Sequence, residues 1–182
     1  RDIILGGQDG LVNVLGIVLG VAGGTNSADI VLIAGLAATF AETISMGAVA
    51  YTSSKAEKDY YLGELAREKR EVREIPKEEV REVREIYYRK GFRGSLLNAV
   101  VSKVTSNRKL WVDTMMTEEL GLKPSADINP LRNGMIVFIA TLIGSLIPLT
   151  PFALFNLLSV GQVILLSLVL SVLVLFVVGA VK

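Results

Sequence analysis

The sequence predicts an all-α membrane protein, a transmembrane helix bundle interrupted by one polar helical region. Charge is segregated along the 182 residues: 17 of the 19 Lys and Arg residues and 14 of the 18 Asp and Glu residues fall between Lys55 and Arg132. Each flank contains two apolar runs, three of about 20 residues and one of about 15, compared with the roughly 20 needed to cross a bilayer. These boundaries predict a transmembrane hairpin over 1–54, a polar helical domain over 55–130, and two further spans over 131–182.

The first two spans are expected over residues 3–24 and about 30–51. Polar residues, among them Asp9 and Asn13, interrupt the first span, and Glu42 is the only charge in the second. A short polar turn, GGTNSAD, separates the two spans. The pattern therefore predicts an antiparallel hairpin that carries ionisable groups inside the membrane.

Glycine recurs every four residues in the first span, at Gly16, Gly20 and Gly24. Small residues at this spacing form a ridge that lets helix backbones approach closely in lipid. The alternative is that these are ordinary membrane-helix glycines.

The polar region is expected to hold three helical segments. The first runs from Lys55 to about Ile75, and Pro76 suits the first turn of the second. The segment from Gly91 to Leu122 reads as one long helix or two shorter ones.

The third and fourth spans are expected over Gly134 to about Pro148 and about Val160 to Val181. Because proline lacks the backbone N–H that a helix needs, the third span should end or kink near Pro148. Positively charged loops favour the cytoplasmic side, so the polar region and both chain ends are expected there.

Composition limits the chemistry that this chain can perform. With no Cys and no His, the sequence excludes disulfides, thiolate metal sites and Cys or His nucleophiles. Any metal must be held by oxygen and thioether ligands. The formal net charge is only +1 and the basic residues alternate with acidic ones, so no nucleic-acid partner is expected.

Four polar or thioether side chains in the first two spans are candidates for one transport path. An ionisable group in hydrocarbon is costly and usually faces a protein interior or a water path. Glu42 and Met46 lie four apart, on one helical face, and the hairpin brings Asp9 and Asn13 near them. Carboxylate and thioether ligands together suit a divalent first-row transition metal. The alternatives are that Asp9 caps the first helix and that Met46 is a packing residue.

Acidic residues form rows on the first two polar helices. Helical spacing places one row at Glu57, Glu64, Glu68 and Glu71, and a second at Glu78, Glu79, Glu82 and Glu85. Like charges on one face repel, so a cation should compensate them. That cation is either a metal ion or a set of neighbouring arginines, namely Arg67, Arg70, Arg73, Arg81 and Arg84. In the third segment, Met115 and Met116 stand four and three residues before Glu119, as on a metal-binding surface.

Over essentially its whole length the chain resembles the vacuolar iron transporter family. The resemblance rests on DGLVNVLGIVLGVAGG, ISMGAVAYTSSKAEKDYY, LWVDTMMTEELGL and GSLIPLTPF. It implies a homodimer of five-helix subunits with a metal path at the dimer interface. It also implies export of Fe²⁺, often Mn²⁺ too, from the cytoplasm in exchange for protons. A fifth span is therefore expected beyond Lys182.

The resemblance also implies roles for individual residues. Asp9 and Met46 match the family's first-helix aspartate and second-helix methionine. The metal-binding positions of its cytoplasmic helices fall on Glu68, Glu71, Glu79, Glu82, Met115, Met116 and Glu119. Well-known plant members carry the second-helix glutamate one turn earlier, where this chain has Ala38, so Glu42 is expected on the same side but displaced by one turn.

The sequence therefore predicts a proton-coupled exporter of divalent transition metal, in a prokaryotic plasma membrane or a vacuole-type membrane, with no permanently bound cofactor. The alternative is a membrane-anchored metal buffer or sensor that does not transport. An enzyme such as a ferroxidase is disfavoured, because the Glu-x-x-His pattern of di-iron sites is missing.

Overall fold

The computed structural model describes residues 2–154 and 158–180, and within these ranges the regular elements are all helical. The helices, in chain order, are α1 (Asp2–Thr25), α2 (Ala28–Glu74), α3 (Pro76–Arg89), α4 (Gly94–Thr105), α5 (Arg108–Thr114), α6 (Pro130–Leu146), α7 (Thr150–Leu154) and α8 (Val160–Ala180). A π turn, Met115–Glu119, follows α5, and a 3₁₀ turn, Ile147–Leu149, follows α6.

The chain divides into two compact units. Residues 1–54 and 129–182 form one, here called the apolar unit, and residues 55–128 form the other, here called the polar unit. Each unit is described by itself below.

Four helical segments among the described residues are long and apolar enough to cross a membrane, which confirms the four predicted spans. The third span loses its α-helical winding at Leu146 and passes through the 3₁₀ turn, because Pro148 cannot donate a backbone hydrogen bond. The fourth span begins at Val160 as expected; its expected end, Val181, lies outside the described residues.

Close helix packing in the apolar unit involves a different set of glycines from the predicted ridge. A methyl group added at Gly10 would press on Ser145 and Thr141 of α6, and one at Gly144 would collide with the carbonyl of Gly7. By contrast, at Gly16 and the other ridge glycines an added Cβ would meet no atom of the described residues within 4 Å. The ridge therefore lies on a face of α1 that the described part of the chain leaves uncovered.

The second span and the first polar segment form one continuous helix, α2, of 47 residues. No Gly or Pro stands between Tyr51 and Lys55 to interrupt the winding. The hydroxyl groups there return hydrogen bonds to the helix, Thr52 Oγ1 to the carbonyl of Ala48 at 3.0 Å and Ser53 Oγ to that of Ala50 at 3.3 Å. These residues therefore continue the helix rather than form a loop.

In the polar unit, Pro76 occupies the first turn of α3, as predicted. The third predicted segment is two helices, because Asn107 starts α5 by accepting hydrogen bonds from the backbone N–H groups of Lys109 and Leu110. The hydrophobic core of this unit is formed by Val72, Val83, Ile86, Leu97, Val101, Val104, Trp111, Val112, Met115 and Met116.

Candidate metal sites

The two membrane helices of the predicted hairpin meet through a polar contact. Asn13 of α1 donates its Nδ2 hydrogen to Oε1 of Glu42 on α2, at 3.0 Å. The glutamate is half-buried and the asparagine is exposed. An amide that donates to a carboxyl group fixes one of its oxygens and leaves the other free to bind a cation or a proton.

Asp9 and Met46 lie one turn further along the same pair of helices. The Asn13–Glu42 contact sets the register, so moving four residues back on α1 and four forward on α2 advances about 6 Å in one direction. Asp9 and Met46 are therefore at the same level, Asp9 exposed and Met46 half-buried. Since α1 begins at Asp2, Asp9 is not the cap of this helix.

The resemblance to plant members places a glutamate one turn before Glu42, at position 38, but this chain has alanine there. Ala38, one turn before Glu42, packs against a core that includes Val31 and Leu149. Glu42 is thus the only acidic side chain in the part of α2 that precedes the polar unit, apart from Asp29 in its first turn.

The polar unit contains two carboxylates that are almost completely buried. The exposed fractions of Glu68 and Glu79 are 1% and 2%. Among the residues that the structure describes, neither oxygen of Glu68 has a hydrogen-bond partner, nor does Oε2 of Glu79. Buried polar groups are normally paired, so these oxygens lack the partner that their burial calls for.

Burial and mutual repulsion change how these groups hold protons. The pKa of Glu68 is raised to about 7; desolvation is the largest cause, and repulsion from Glu119 and Glu71 adds to it. Desolvation likewise raises the pKa of Glu79 to about 7, followed by repulsion from Glu82 and Glu68. Near neutral pH each group therefore holds a proton more tightly than an exposed glutamate does.

Glu119 belongs to the same electrostatic cluster. Its residue surface is largely exposed, yet partial desolvation of its carboxyl group raises its pKa, and repulsion from Glu82 adds to this. Electrostatic repulsion thus links five of the predicted carboxylates: Glu68, Glu71, Glu79, Glu82 and Glu119.

Neighbouring arginines form salt bridges with other acids of the polar unit but, among the described residues, not with Glu68 or Glu79. Arg67 bridges Glu64 and Glu71, both at 3.2 Å, and similar helical ion pairs hold exposed acids elsewhere in the unit. Among the residues that the structure describes, no salt bridge reaches Glu68 or Glu79. Arginine ion pairs therefore account for Glu64, Glu71, Glu78 and Glu85 but not, among the described residues, for Glu57, Glu82 or the buried pair.

The two methionines lie in the π turn and face inward. Met115 is 0% exposed and Met116 is 2% exposed. The wider winding is marked by the bond from Leu120 N–H to the carbonyl of Met115, at 3.2 Å. Gly121, with φ +65°, lies two residues after the end of the turn. Two consecutive thioethers are thereby buried in the core of the unit that holds the carboxylate cluster.

The cluster is not closed around a cation in its present geometry. Within residues 2–154 and 158–180, no three acidic side chains converge closely enough to hold one metal ion. Mutual repulsion opposes a closer approach of these carboxylates unless a cation or a proton neutralises them.

Two features of these sites could not be found from sequence patterns. The π winding of MMTEE carries no proline, glycine or other local signal. The distinction between the buried Glu68 and its neighbour Glu64, which faces an arginine, depends on how α3 and the π turn pack.

Comparisons with known proteins agree with these features. A model described as the VIT family matches residues 1–182. Vacuolar iron transporter 1 of Tulipa gesneriana is 34% identical over 182 residues, covering 100% of this chain and 73% of the relative. The corresponding values for vacuolar iron transporter 1 of Arabidopsis thaliana are 35%, 100% and 72%. The vacuolar iron transporter of Toxoplasma gondii is 37% identical over 186 residues, covering 98% of this chain and 62% of the relative.

Proposed function

The chain belongs to the VIT family of membrane metal transporters, and from this premise we propose that it exports Fe²⁺, and also Mn²⁺, from the cytoplasm in exchange for protons. The observation that carries the proposal is the burial of Glu68 and Glu79. Among the described residues, Oε1 and Oε2 of Glu68 and Oε2 of Glu79 have no hydrogen-bond partner, and neither glutamate forms a salt bridge. Since isolated buried carboxylates are costly, a divalent cation is the partner that would make their burial favourable.

In this proposal the polar unit lies in the cytoplasm and captures the metal. Oxygens of Glu68, Glu71, Glu79, Glu82 and Glu119 and sulfurs of Met115 and Met116 would serve as ligands. The charge of the ion removes the repulsion that holds the carboxylates apart, so the cluster contracts on loading. Oxygen and thioether ligands without imidazole or thiolate are compatible with Fe²⁺ and Mn²⁺.

The membrane path in this proposal uses Met46, Asp9, Asn13 and Glu42. The glycine ridge of α1 is free of neighbours in the subunit, which supports a second copy packing against this face in a homodimer. Asp9 and Asn13 are also exposed in the single subunit. A dimer would therefore surround the path with protein rather than lipid.

Protons would release the cargo on the far side of the membrane. A protonated carboxyl group is a poor ligand, so protonation of Asp9 or Glu42 weakens the hold on the metal. The same carboxyl group then carries the proton back to the cytoplasmic side. The exchange therefore needs an ionisable side chain at position 9 or 42.

The test is flux in proteoliposomes, with the full-length protein, a pH gradient and an internal dye that chelates Fe²⁺. We expect uptake that requires the gradient and is lost in Asp9→Asn and Glu42→Gln. Asp29→Asn is the matched control, since Asp29 is an exposed acid in the first turn of α2. Flux in Asp9→Asn and Glu42→Gln that depends on the pH gradient as it does in the wild type would refute the proton step.

Capture is tested by a second pair of variants. Glu68→Gln removes a buried, unpartnered carboxylate, whereas Glu64→Gln removes one a single turn away that is paired with Arg67. We expect a higher metal concentration for half-maximal flux only in Glu68→Gln. Metal binding without flux in the wild type would instead favour the buffer or sensor.

A further inference from the structure

We propose that the polar unit has a second binding site, a basic groove between α2 and α5 that takes a nucleoside polyphosphate. The groove encloses about 540 Å³ and is lined by Tyr61, Leu65, Lys69, Arg73, Arg108, Lys109, Val112 and Asp113. Four of these side chains are cationic and one is acidic. The site is distinct from the carboxylate cluster, which holds the opposite charge.

The cations of this groove share one cavity. Outside the groove, five basic side chains of the unit pair with acids three or four residues away, as Arg70 does with Glu74 and Arg81 with Glu78, and six others form no salt bridge among the described residues. Among the described residues, Lys69, Arg73 and Lys109 take part in no salt bridge. Unpaired cations that line a shared cavity favour an anionic ligand.

The two arginines are at the centre of the basic surface. Arg73 and Arg108 also line an adjoining cavity of about 340 Å³ together with Trp111. Arg108 Nη2 donates to the backbone carbonyl of Lys69, at 3.2 Å, which orients its guanidinium group. A planar guanidinium binds phosphate through two parallel hydrogen bonds, so this pair is suited to a polyphosphate.

The other part of the groove is apolar. On α2 the lining residues recur every four positions from Tyr61 to Arg73, and therefore follow one helical face for about 18 Å. Tyr61 and Leu65 precede the basic residues on this face, and Val112 of α5, 3% exposed, adds a buried apolar wall. An elongated ligand with a flat ring at one end and several negative charges at the other matches this order.

The experiment is calorimetric titration of the full chain in detergent with ATP, in EDTA so that no metal bridges the phosphates to the acidic cluster. We expect binding tighter than about 1 mM, and a loss of at least about tenfold in Arg73→Gln/Arg108→Gln. Lys69→Gln/Lys109→Gln should give a loss in the same direction. The matched control, Arg70→Gln/Arg81→Gln, removes two ion-paired arginines of the same unit and should change the affinity by less than about twofold.

Competitors identify the ligand. Tripolyphosphate and vesicles that contain a phosphoinositide offer the same charge without the nucleoside, and both should compete more weakly than ADP. Tyr61→Ala should narrow the difference between ATP and tripolyphosphate.

Three outcomes would overturn the proposal: no binding of ATP, an equal loss in the control pair, or tighter binding of the phosphoinositide vesicles or of tripolyphosphate than of ATP. Because no step depends on flux or on metal, these outcomes are independent of the transport proposal.

Discussion

The stability of the metal-free polar unit should fall as pH rises through neutrality, and Glu68→Gln should remove part of this dependence. The pKa of Glu68 is raised in the folded state, so the native protein binds a proton more tightly than the unfolded chain does. A group of this kind contributes stability that is fully present below its unfolded pKa and is lost as pH rises through the folded pKa. The window is therefore about pH 4.5 to 7.

The size of the effect follows from the shift. Glu68 moves from 4.5 to about 7, and each unit corresponds to about 1.4 kcal/mol, so the wild type should lose roughly 3 kcal/mol of unfolding free energy through this group. Glu79 has a similar shift, but the two groups interact and their losses do not simply add. A buried glutamine without a partner costs about 1–3 kcal/mol at every pH. The slope with pH is therefore the quantity to compare.

The chain provides its own probe for this measurement. Its single tryptophan, Trp111, is 7% exposed in the core of the polar unit, so its fluorescence reports the unfolding of this unit. Urea unfolding in detergent with EDTA, at several pH values between 5 and 8, gives the slope. Glu64→Gln is the control. If the wild type has the same stability at both ends of this range, or if Glu68→Gln keeps the full slope, the reasoning from burial is wrong.

Other predictions concern the metal, the core and the glycines. Affinity for Co²⁺, followed by its absorption spectrum, should weaken about tenfold per pH unit below 7 for each carboxyl proton that binding displaces; a pH-independent affinity would contradict this. Met115→Ala should lower the unfolding free energy by about 2–5 kcal/mol, whereas Met115→Leu should cost less than about 1.5 kcal/mol and weaken Co²⁺ binding. In thermal unfolding of the apolar unit, Gly144→Ala should cost about 1–3 kcal/mol because the methyl meets the carbonyl of Gly7, while Gly161→Ala in α8, where an added Cβ meets no described atom within 4 Å, should cost nothing. Gly121→Ala should cost roughly 1–2 kcal/mol in urea unfolding, because φ is +65° there; equal stability would refute the strain.

Several elements could be predicted from the sequence because the signal is local. Four apolar runs give four spans, and the prolines at positions 76 and 148 mark a helix start and the end of regular α winding. That Asn13 and Glu42 lie at a similar depth follows from counting residues on either side of a short turn.

The remaining features depend on packing, which spacing alone does not determine. Glycine spacing shows that α1 carries faces lined by small residues. It does not show that Gly7 and Gly10 contact α6, whereas Gly16 is left uncovered by the described residues. Helical spacing groups Glu64 with Glu68, yet only the packing of the polar unit buries the second. The division of the last polar segment at Asn107 and the π winding after α5 likewise required the structure.

The contact between Asn13 and Glu42 has a chemical consequence for the proton exchange proposed above. An amide N–H donates a hydrogen bond to a carboxylate oxygen. It can donate with the same geometry to the carbonyl oxygen of the neutral acid. The bond is weaker in the second case, since charge-assisted hydrogen bonds are roughly twice as strong. Asn13 can thus keep the carboxyl group of Glu42 in one orientation through both protonation states. In the proposed exchange the proton would therefore bind one particular oxygen of Glu42, the one that does not accept the hydrogen bond from Asn13.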